Sequence, residues 1–460
     1  MASAVENTSL ERIQEIRAKQ EKFFRSGATL EISFRKKQLE ALQRGLRKWE
    51  RVITDALWED LHKSYEEGYL TELSIVLGEI KNHLRNVEKW ARPKCRPTPL
   101  KLMPSTSRIV SEPLGTALIV APWNYPVQLL LNPLVGAISA GCTAVLKPSP
   151  YVPNVSLAIE KMIQDTFNEE YIAITQGNRV VNQALLDQRW DIIFFTGSPD
   201  LGRKVMEAAA KHITPVVLEL GGKSPCIVDE GADIRMAAKR IAWGKALNAG
   251  QTCIAPDYLM LHESIKDQFL EELQKQFRSL LGKDPQKSKH FVRIVSEKAF
   301  DRLEGYLKDG KIVFGGHTDR NERYFSPTVL DNVSPDAPVM QEEIFGPIFP
   351  VQTFRDIRQA TDFITAREKP LALYYFGKDG DKVIKYTSAG GSCINDTIMH
   401  IANENVPFGG VGNSGMGAYH QKLSFDAFTH YRSVISTTTK IDLPFRYMPY
   451  RLFSLVKKIL

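Results

Sequence analysis

LGTALIVAPWNYPVQLLLNPLVGAISAGCTAVLKPSP, residues 114–150, decides the fold. LGTALIVAP is a short apolar run that ends at Pro122, which predicts a buried strand. NYPVQLLLNPLVGAISAG is long and apolar and closes on a glycine, which predicts a helix. CTAVLKPSP predicts a second strand, stopped by its prolines. A strand, a buried helix and a second strand form one crossover of a parallel sheet. Such crossovers are right-handed and place helices on the sheet faces.

Outward from this unit the rhythm continues. VSLAIEKMIQDTF reads as a helix and EYIAITQG as a third strand. WDIIFFTGSP reads as a fourth strand, LGRKVMEAAAKHI as a helix and TPVVLELGG as a fifth strand. Open parallel sheets bind ligands beyond the carboxyl ends of their strands. Asn124, Lys147, Gly197 and Glu219 all fall at or just past those ends. A second, less regular α/β region runs from about 222 to 420.

Before the sheet, residues 8–92 read as packed surface helices, with Leu39, Leu42, Leu46, Trp49 and Val52 at three- and four-residue spacing. Between them and the sheet, Pro93, Pro97, Pro99, Pro104 and Pro113 break any helix, so this segment reads as an extended arm or hairpin.

Composition narrows the function classes. The net charge of +7 is mild for 460 residues, and Lys and Arg alternate with Glu and Asp. That describes solvated faces rather than a nucleic-acid-binding patch. Five cysteines without C-x-x-C spacing argue against a disulfide framework or a zinc site and for a reducing compartment. No apolar leader opens the chain, and no run reaches the roughly 18–20 apolar residues of a membrane span. The expected location is therefore the cytoplasm.

Three local motifs carry chemistry. In GQTCIAPDYL, Cys253 is either a small buried apolar residue or a nucleophile. Glu219 ends the buried run PVVLE, where desolvation should raise its pKa. It is a candidate general base, or half of a structural ion pair. FFTGSPDLG has Ser198 placed to cap a helix, Pro199 at its first position, and Gly197 and Gly202 around the turn. That is an anion site or merely a tight turn. GVGNSG at 410–415 matches G-x-G-x-x-G but follows no strand, so it reads as a glycine-rich loop near the site. His400 has no His or Cys partner at ligand spacing, and no metal is expected.

Taken together, APWNYP, AVLKPS, FFTGSPDLG, LELGGKSPC, AWGKALNAGQTC, QEEIFGP, REKPLALY and PFGGVGNSGMGAYH resemble the aldehyde dehydrogenase superfamily, in detail its class 3 branch. The resemblance runs from the first helices to about residue 440. It implies a cofactor-binding domain (1–94 and 115–219), a catalytic domain (220–420), an oligomerisation arm (95–114 and 421–440) and an apolar-basic tail (441–460). It also implies oxidation of an aldehyde to the carboxylic acid with NAD or NADP. Cys253 would be the nucleophile, and the Asn124 side chain and Cys253 N–H the oxyanion donors. Glu219 would activate the water that hydrolyses a thioester. Lys147 would meet the adenosine ribose, and Gly197, Ser198 and Gly202 the pyrophosphate. Glu343 would hold the nicotinamide ribose, with Phe345 against the ring.

Trp123, Tyr125 and Trp243 point to an apolar funnel for aromatic or medium-to-long aliphatic aldehydes. Many NAD-preferring members carry Glu three residues after the lysine. Pro150 stands there in this chain, which leaves NADP open. A homodimer is expected. The tail has Phe445, Tyr447, Leu452 and Phe453 among Arg446, Arg451, Lys457 and Lys458. It suits either packing on a subunit or lying at an anionic membrane surface.

The competing readings are a coenzyme A-acylating aldehyde dehydrogenase, a cysteine hydrolase and a non-catalytic structural protein. Glu219 argues for water over a thiol acceptor, and no motif places a His base for a hydrolase. Intact Cys253, Glu219 and Asn124 argue against a purely structural role.

Overall fold

The structure, a computed structural model, describes residues 5–403, 405–443, 447–450 and 453–459. The chain opens with α1 (Leu10–Arg25), α2 (Ile32–Leu61) and α3 (Tyr65–Gly68). A π-helical turn (Tyr69–Leu73) then leads into α4 (Ser74–Ala91). These are more than surface helices. Leu39, Leu42, Leu46, Ile53 and Leu57 of α2 are wholly buried in the main core. Val52 instead faces solvent and Ile53 takes the inward position, because a 3.6-residue period carries the buried stripe from Leu46 to Ile53.

The proline-rich arm is a hairpin. β1 (Lys94–Arg96) pairs antiparallel with β2 (Ser105–Pro113). Next comes the alternating region: β3 (Thr116–Val120), α5 (Gln128–Ala140), β4 (Thr143–Lys147), α6 (Pro153–Thr166), β5 (Ile172–Ile174), α7 (Arg179–Leu186), β6 (Ile192–Gly197), α8 (Pro199–Ala210) and β7 (Val216–Leu220). The sequence reading passed directly from the third strand to the fourth. The structure places α7 between them, an eight-residue helix capped by Asn178 and too short to show a clear period.

β3 to β7 form a parallel sheet in the order β7-β6-β3-β4-β5. The order reverses at β3, so a crevice opens beyond the carboxyl ends of β3 and β6. Ile119, Phe194 and Val217 face the core shared with α2, α4, α5 and α6. Leu118, Phe195 and Leu218 face α1, α7 and α8. α5 is buried on every side, as its continuous apolar sequence requires.

The second region holds β8 (Pro225–Val228), α9 (Ile234–Ala246), β9 (Tyr258–His262), β10 (Lys311–Phe314), the small hairpin β11 (Thr318–Asp319) and β12 (Tyr324–Phe325), β13 (Thr328–Asp331), β14 (Ile348–Phe354), β15 (Ala372–Phe376) and β16 (Gly391–Ile394). Its seven-stranded sheet has the order β10-β13-β14-β9-β8-β15-β16 and is parallel except at β10. The chain then returns to the first sheet. β17 (Gly415–Met416) pairs with β7, setting Gly415 opposite Glu219. The loop 410–415 is thus a glycine-rich turn at the strand bearing Glu219 and no dinucleotide loop. β18 (Thr429–Thr437) joins β2, completing a three-stranded sheet with the arm.

Candidate active site

Cys253 follows a strained turn. Asn248, Ala249 and Gly250 all have left-handed backbones, with φ of 49°, 52° and 73°. Two of these carry a Cβ, so the surroundings must hold them there. The Asn248 Nδ2 donates to the carbonyls of Asn124 (3.0 Å) and Gln251 (2.9 Å). Gln251 Nε2 donates back to Asn248 O and to Arg293 O, and its Oε1 accepts from Val295 N–H. Asn248 N–H reaches the Glu67 carboxyl at 2.9 Å. The result is a fixed loop that presents a half-buried thiol.

Asn124 sits against the same loop. Its Nδ2 donates to Gln251 O at 3.1 Å, two residues before the thiol, which leaves the second N–H of the amide for another acceptor. The Asn124 carbonyl accepts from Lys63 Nζ at 3.1 Å. Lys63 and Glu72 are fully buried and paired at 2.8 Å. The other Glu72 oxygen accepts from the Val127 and Gln128 N–H groups at the start of α5. The Lys63 ammonium also lies 4.2 Å from the centre of the Tyr125 ring, and the Tyr125 hydroxyl meets Thr252 Oγ1 at 2.7 Å. Sequence reasoning missed Lys63, Glu67, Glu72, Asn248 and Gln251. The first three sit in a stretch whose charges read as solvent-exposed.

Glu219 lies on β7 and is buried, with neither carboxylate oxygen bonded to protein. Burial alone pushes its pKa well above the ordinary carboxylate range. Glu343 is raised to about 8, first by burial and then by the charge on Asp257. A Cβ on Gly221 would overlap the Glu343 carboxylate, so this glycine is what admits it beside the end of β7. Burial also raises the Cys253 thiol, and the charges on Glu343 and Glu219 raise it further. The three groups therefore share one electrostatic environment. Those shifts favour the thiol over the thiolate.

Of the predicted cofactor residues, Ser198 and Glu343 line one cleft. Lys147 ends β4 with its ammonium on Pro148 O at 2.7 Å, and burial lowers it to about 8. Ser198 holds the N-cap position of α8 but makes no capping bond, contrary to the expectation. Ser198 instead lines a cleft of about 950 Å³ with Gly221, Arg302 and Glu343. Gly202 is a packing glycine, since a Cβ there would press on Leu220. Phe345 has φ of 49° and meets Trp123 edge-on at 5.4 Å. Arg302 fixes this segment through the carbonyls of Glu343 and Ile344.

Trp243 is 36% exposed on α9, whereas Tyr125 is buried behind the loop. His400 does have a sulfur neighbour: its Nδ1 lies 3.4 Å from Cys393 Sγ. Among the described residues no group of three or more His, Cys, Asp or Glu could hold a metal ion.

The arrangement can add a thiol to a carbonyl, hold the oxyanion and admit water beside a basic carboxylate. The aldehyde dehydrogenase family model matches residues 2–434. The chain belongs to the aldehyde dehydrogenase family. It is 47% identical over 434 residues to 4,4'-diaponeurosporen-aldehyde dehydrogenase of Staphylococcus aureus, covering 93% of this chain and 95% of that one. It is 45% identical to human aldehyde dehydrogenase family 3 member B1, covering 90% and 89%. The substrate-bound structure of Staphylococcus aureus AldH superposes with a TM-score of 0.95 at 46% identity, covering 97% and 99%. This aldehyde dehydrogenase is an oxidoreductase that converts an aldehyde to the acid with NAD or NADP.

The buried pair at Asn124 yields a prediction. Glu72→Leu strands the Lys63 charge and two helix N–H groups. It should destabilise the aldehyde dehydrogenase by about 3–5 kcal/mol in urea unfolding. Lys63→Met with Glu72→Leu should recover much of that loss.

Proposed function

We propose that Cys253 carries out covalent catalysis on an apolar aldehyde, with Glu219 as the hydrolytic base. The Cys253 sulfur bonds to the carbonyl carbon, and the oxyanion takes hydrogen bonds from the free Asn124 N–H and the Cys253 N–H. Each such donor contributes about 3–4 kcal/mol when it is fixed in place. NAD or NADP supplies the hydride acceptor. Lys147, Ser198 and Glu343 would hold its adenosine ribose, pyrophosphate and nicotinamide ribose, and Phe345 its ring. The unused Ser198 hydroxyl and the Glu343 carboxylate admitted by Gly221 favour that placement. Water then attacks the thioester as its proton passes to Glu219. The carbon–sulfur bond breaks, and the acid leaves. The carrying observation is the buried Glu219 carboxylate, unpaired by protein and electrostatically coupled to Cys253.

Residues 1–94 and 115–219 would form the cofactor domain and 220–420 the catalytic domain. The sheet of β1, β2 and β18 would form the dimer arm. Trp123 and the exposed Trp243 favour an apolar funnel, as does the 4,4'-diaponeurosporen-aldehyde named for the Staphylococcus relative. The five cysteines are free, which suits the cytoplasm. The helix Phe453–Ile459 is present in the tail, while Phe445, Arg446, Arg451 and Leu452 lie outside the described residues. Among described residues no helix is long and apolar enough to cross a membrane. Met448, Tyr450 and Phe453 are more than half exposed, which favours cover from outside this chain, by a dimer partner or a membrane surface.

Cys253→Ala should reduce aldehyde oxidation to below about a hundredth of wild type with cofactor binding intact. Glu219→Gln should give a burst of reduced cofactor at 340 nm and then a slow steady state. Loss of the burst would place Glu219 in the first half-reaction. Because the folded pKa of Glu219 is raised, the basic form grows with pH. Wild-type deacylation should therefore keep rising with pH above the ordinary carboxylate range, and this rise should vanish in Glu219→Gln.

Pro150 is exposed just past Lys147. Pro150→Glu should shift selectivity towards NAD by up to about tenfold, the worth of one hydrogen bond. Where the tail lies on a membrane surface, deleting 446–460 abolishes sedimentation with anionic liposomes while sparing turnover of a soluble aldehyde. A shift to monomers on gel filtration would instead assign the tail to the dimer.

A further inference from the structure

Glu219 is one of several buried polar groups on one face of the first sheet. Thr196 is its register neighbour on β6, and both point to the face that carries Phe194 and Val217. The Tyr419 ring packs on Phe194 at 5.2 Å, which sets Tyr419 over the same face. The charges on Glu219 and Cys253 both act on its phenol. His420 lies beside Tyr419, the two rings tilted with centres 4.3 Å apart. α5 packs against the segment that follows Tyr419. A Cβ on Gly136 would strike the backbone of Ser424, so this stripe of α5 lies on the segment that begins at Tyr419. Asn132 and Gln128 are one and two turns earlier on that stripe.

Every one of these six side chains is at least nine-tenths buried. Each keeps polar atoms that no protein group pairs: both oxygens of Glu219, Thr196 Oγ1, the Tyr419 hydroxyl, His420 Nε2, both amide atoms of Asn132 and Gln128 Nε2. Buried polar atoms in native proteins are almost always satisfied, and where protein does not pair them, internal water does. Their chemistry is mixed. Asn132 offers donor and acceptor, Tyr419 and Thr196 offer hydroxyls, and Glu219 accepts. That mixture suits water rather than an anion or a cation.

We propose that Tyr419, Thr196 and Asn132 hold a cluster of internal waters behind Glu219, and that this cluster supplies the water consumed in thioester hydrolysis. The inference rests on the assignment of Glu219 as hydrolytic base. One clustered water bonds through oxygen to the thioester carbon while its proton moves to Glu219. The carbon–sulfur bond breaks with its electron pair on Cys253 sulfur, and the next water in the cluster takes the vacated place. Tyr419, Thr196 and Asn132 are positioning residues, since they act on the water and not on the aldehyde.

Tyr419→Phe removes one oxygen and no packing. Stopped-flow absorbance at 340 nm, with NAD and a soluble aldehyde, should show a burst near one equivalent per site at the wild-type rate. The steady state should then be about tenfold slower, with the acyl adduct on Cys253 visible by mass after acid quench. Asn132→Leu should behave alike, and Asn132→Gln should restore most of the turnover, which a purely packing role would not produce. A wild-type steady state in Tyr419→Phe overturns the proposal, as does equal slowing of burst and steady state. Glu219→Gln run alongside separates the two ideas. A burst there and none in Tyr419→Phe overturns the water cluster alone. No burst in either overturns the role of Glu219 beneath it.

Discussion

The Glu72 carboxylate is fully buried and divides its two oxygens between a cation and a helix. One oxygen neutralises Lys63, and the other receives the first N–H groups of α5. A carboxylate at a helix N-terminus is favoured by the unpaired donors and the helix dipole. Here it also fixes direction, because the Lys63 it holds reaches forward to the Asn124 carbonyl and under the Tyr125 ring. Asn124 and Tyr125 then grip Gln251 and Thr252, the two residues before the thiol. The position of Cys253 therefore descends from one buried ion pair contributed by the N-terminal helices. Breaking such a pair costs far more than an exposed one, since the survivor is stranded in low dielectric.

Around that frame the site concentrates carboxyls that are expensive to charge. Glu67, Glu219 and Glu343 are all raised, each with burial as the leading cause. Glu67 comes to about 7 and braces the left-handed turn through Asn248 N–H. Glu219 and Glu343 act on the Cys253 thiol through their charge, and both raise it, after burial itself. That arrangement suits a reaction in which a proton leaves sulfur first and a water later. The Lys223–Asp257 pair at 2.5 Å and the Arg302 guanidinium hold the Glu343 segment from outside, so its carboxylate is fixed although its neighbour is a glycine.

The alternation of short apolar strands with helices between 114 and 220 is a local pattern, so the parallel sheet was legible in the sequence, but the order of its strands was not. So were the hairpin nature of the proline-rich arm and the strand-end positions of Asn124, Lys147, Gly197 and Glu219. Each rests on side-chain period or on backbone restriction by Pro and Gly, and those act within a few residues. The α7 helix was missed because eight residues give barely two turns of period. The phase of α2 slipped for a related reason: Trp49 and Val52 continue a three-residue spacing, but the buried stripe of a 30-residue helix follows 3.6.

By itself the sequence determined the α/β class, the family and the identities of the candidate nucleophile and base, because those depend on residue type in a local frame. Only the tertiary structure decided how charge and strain are distributed. Lys63 and Glu72 look like ordinary helix charges until the fold removes them from water. Ser198 looks like a helix cap, yet in the fold its hydroxyl makes no capping bond. The unpaired atoms of Thr196, Glu219, Tyr419 and Asn132 come from four separate segments that meet on one sheet face. Desolvation and hydrogen-bond pairing are properties of the space between segments, and no local pattern encodes them.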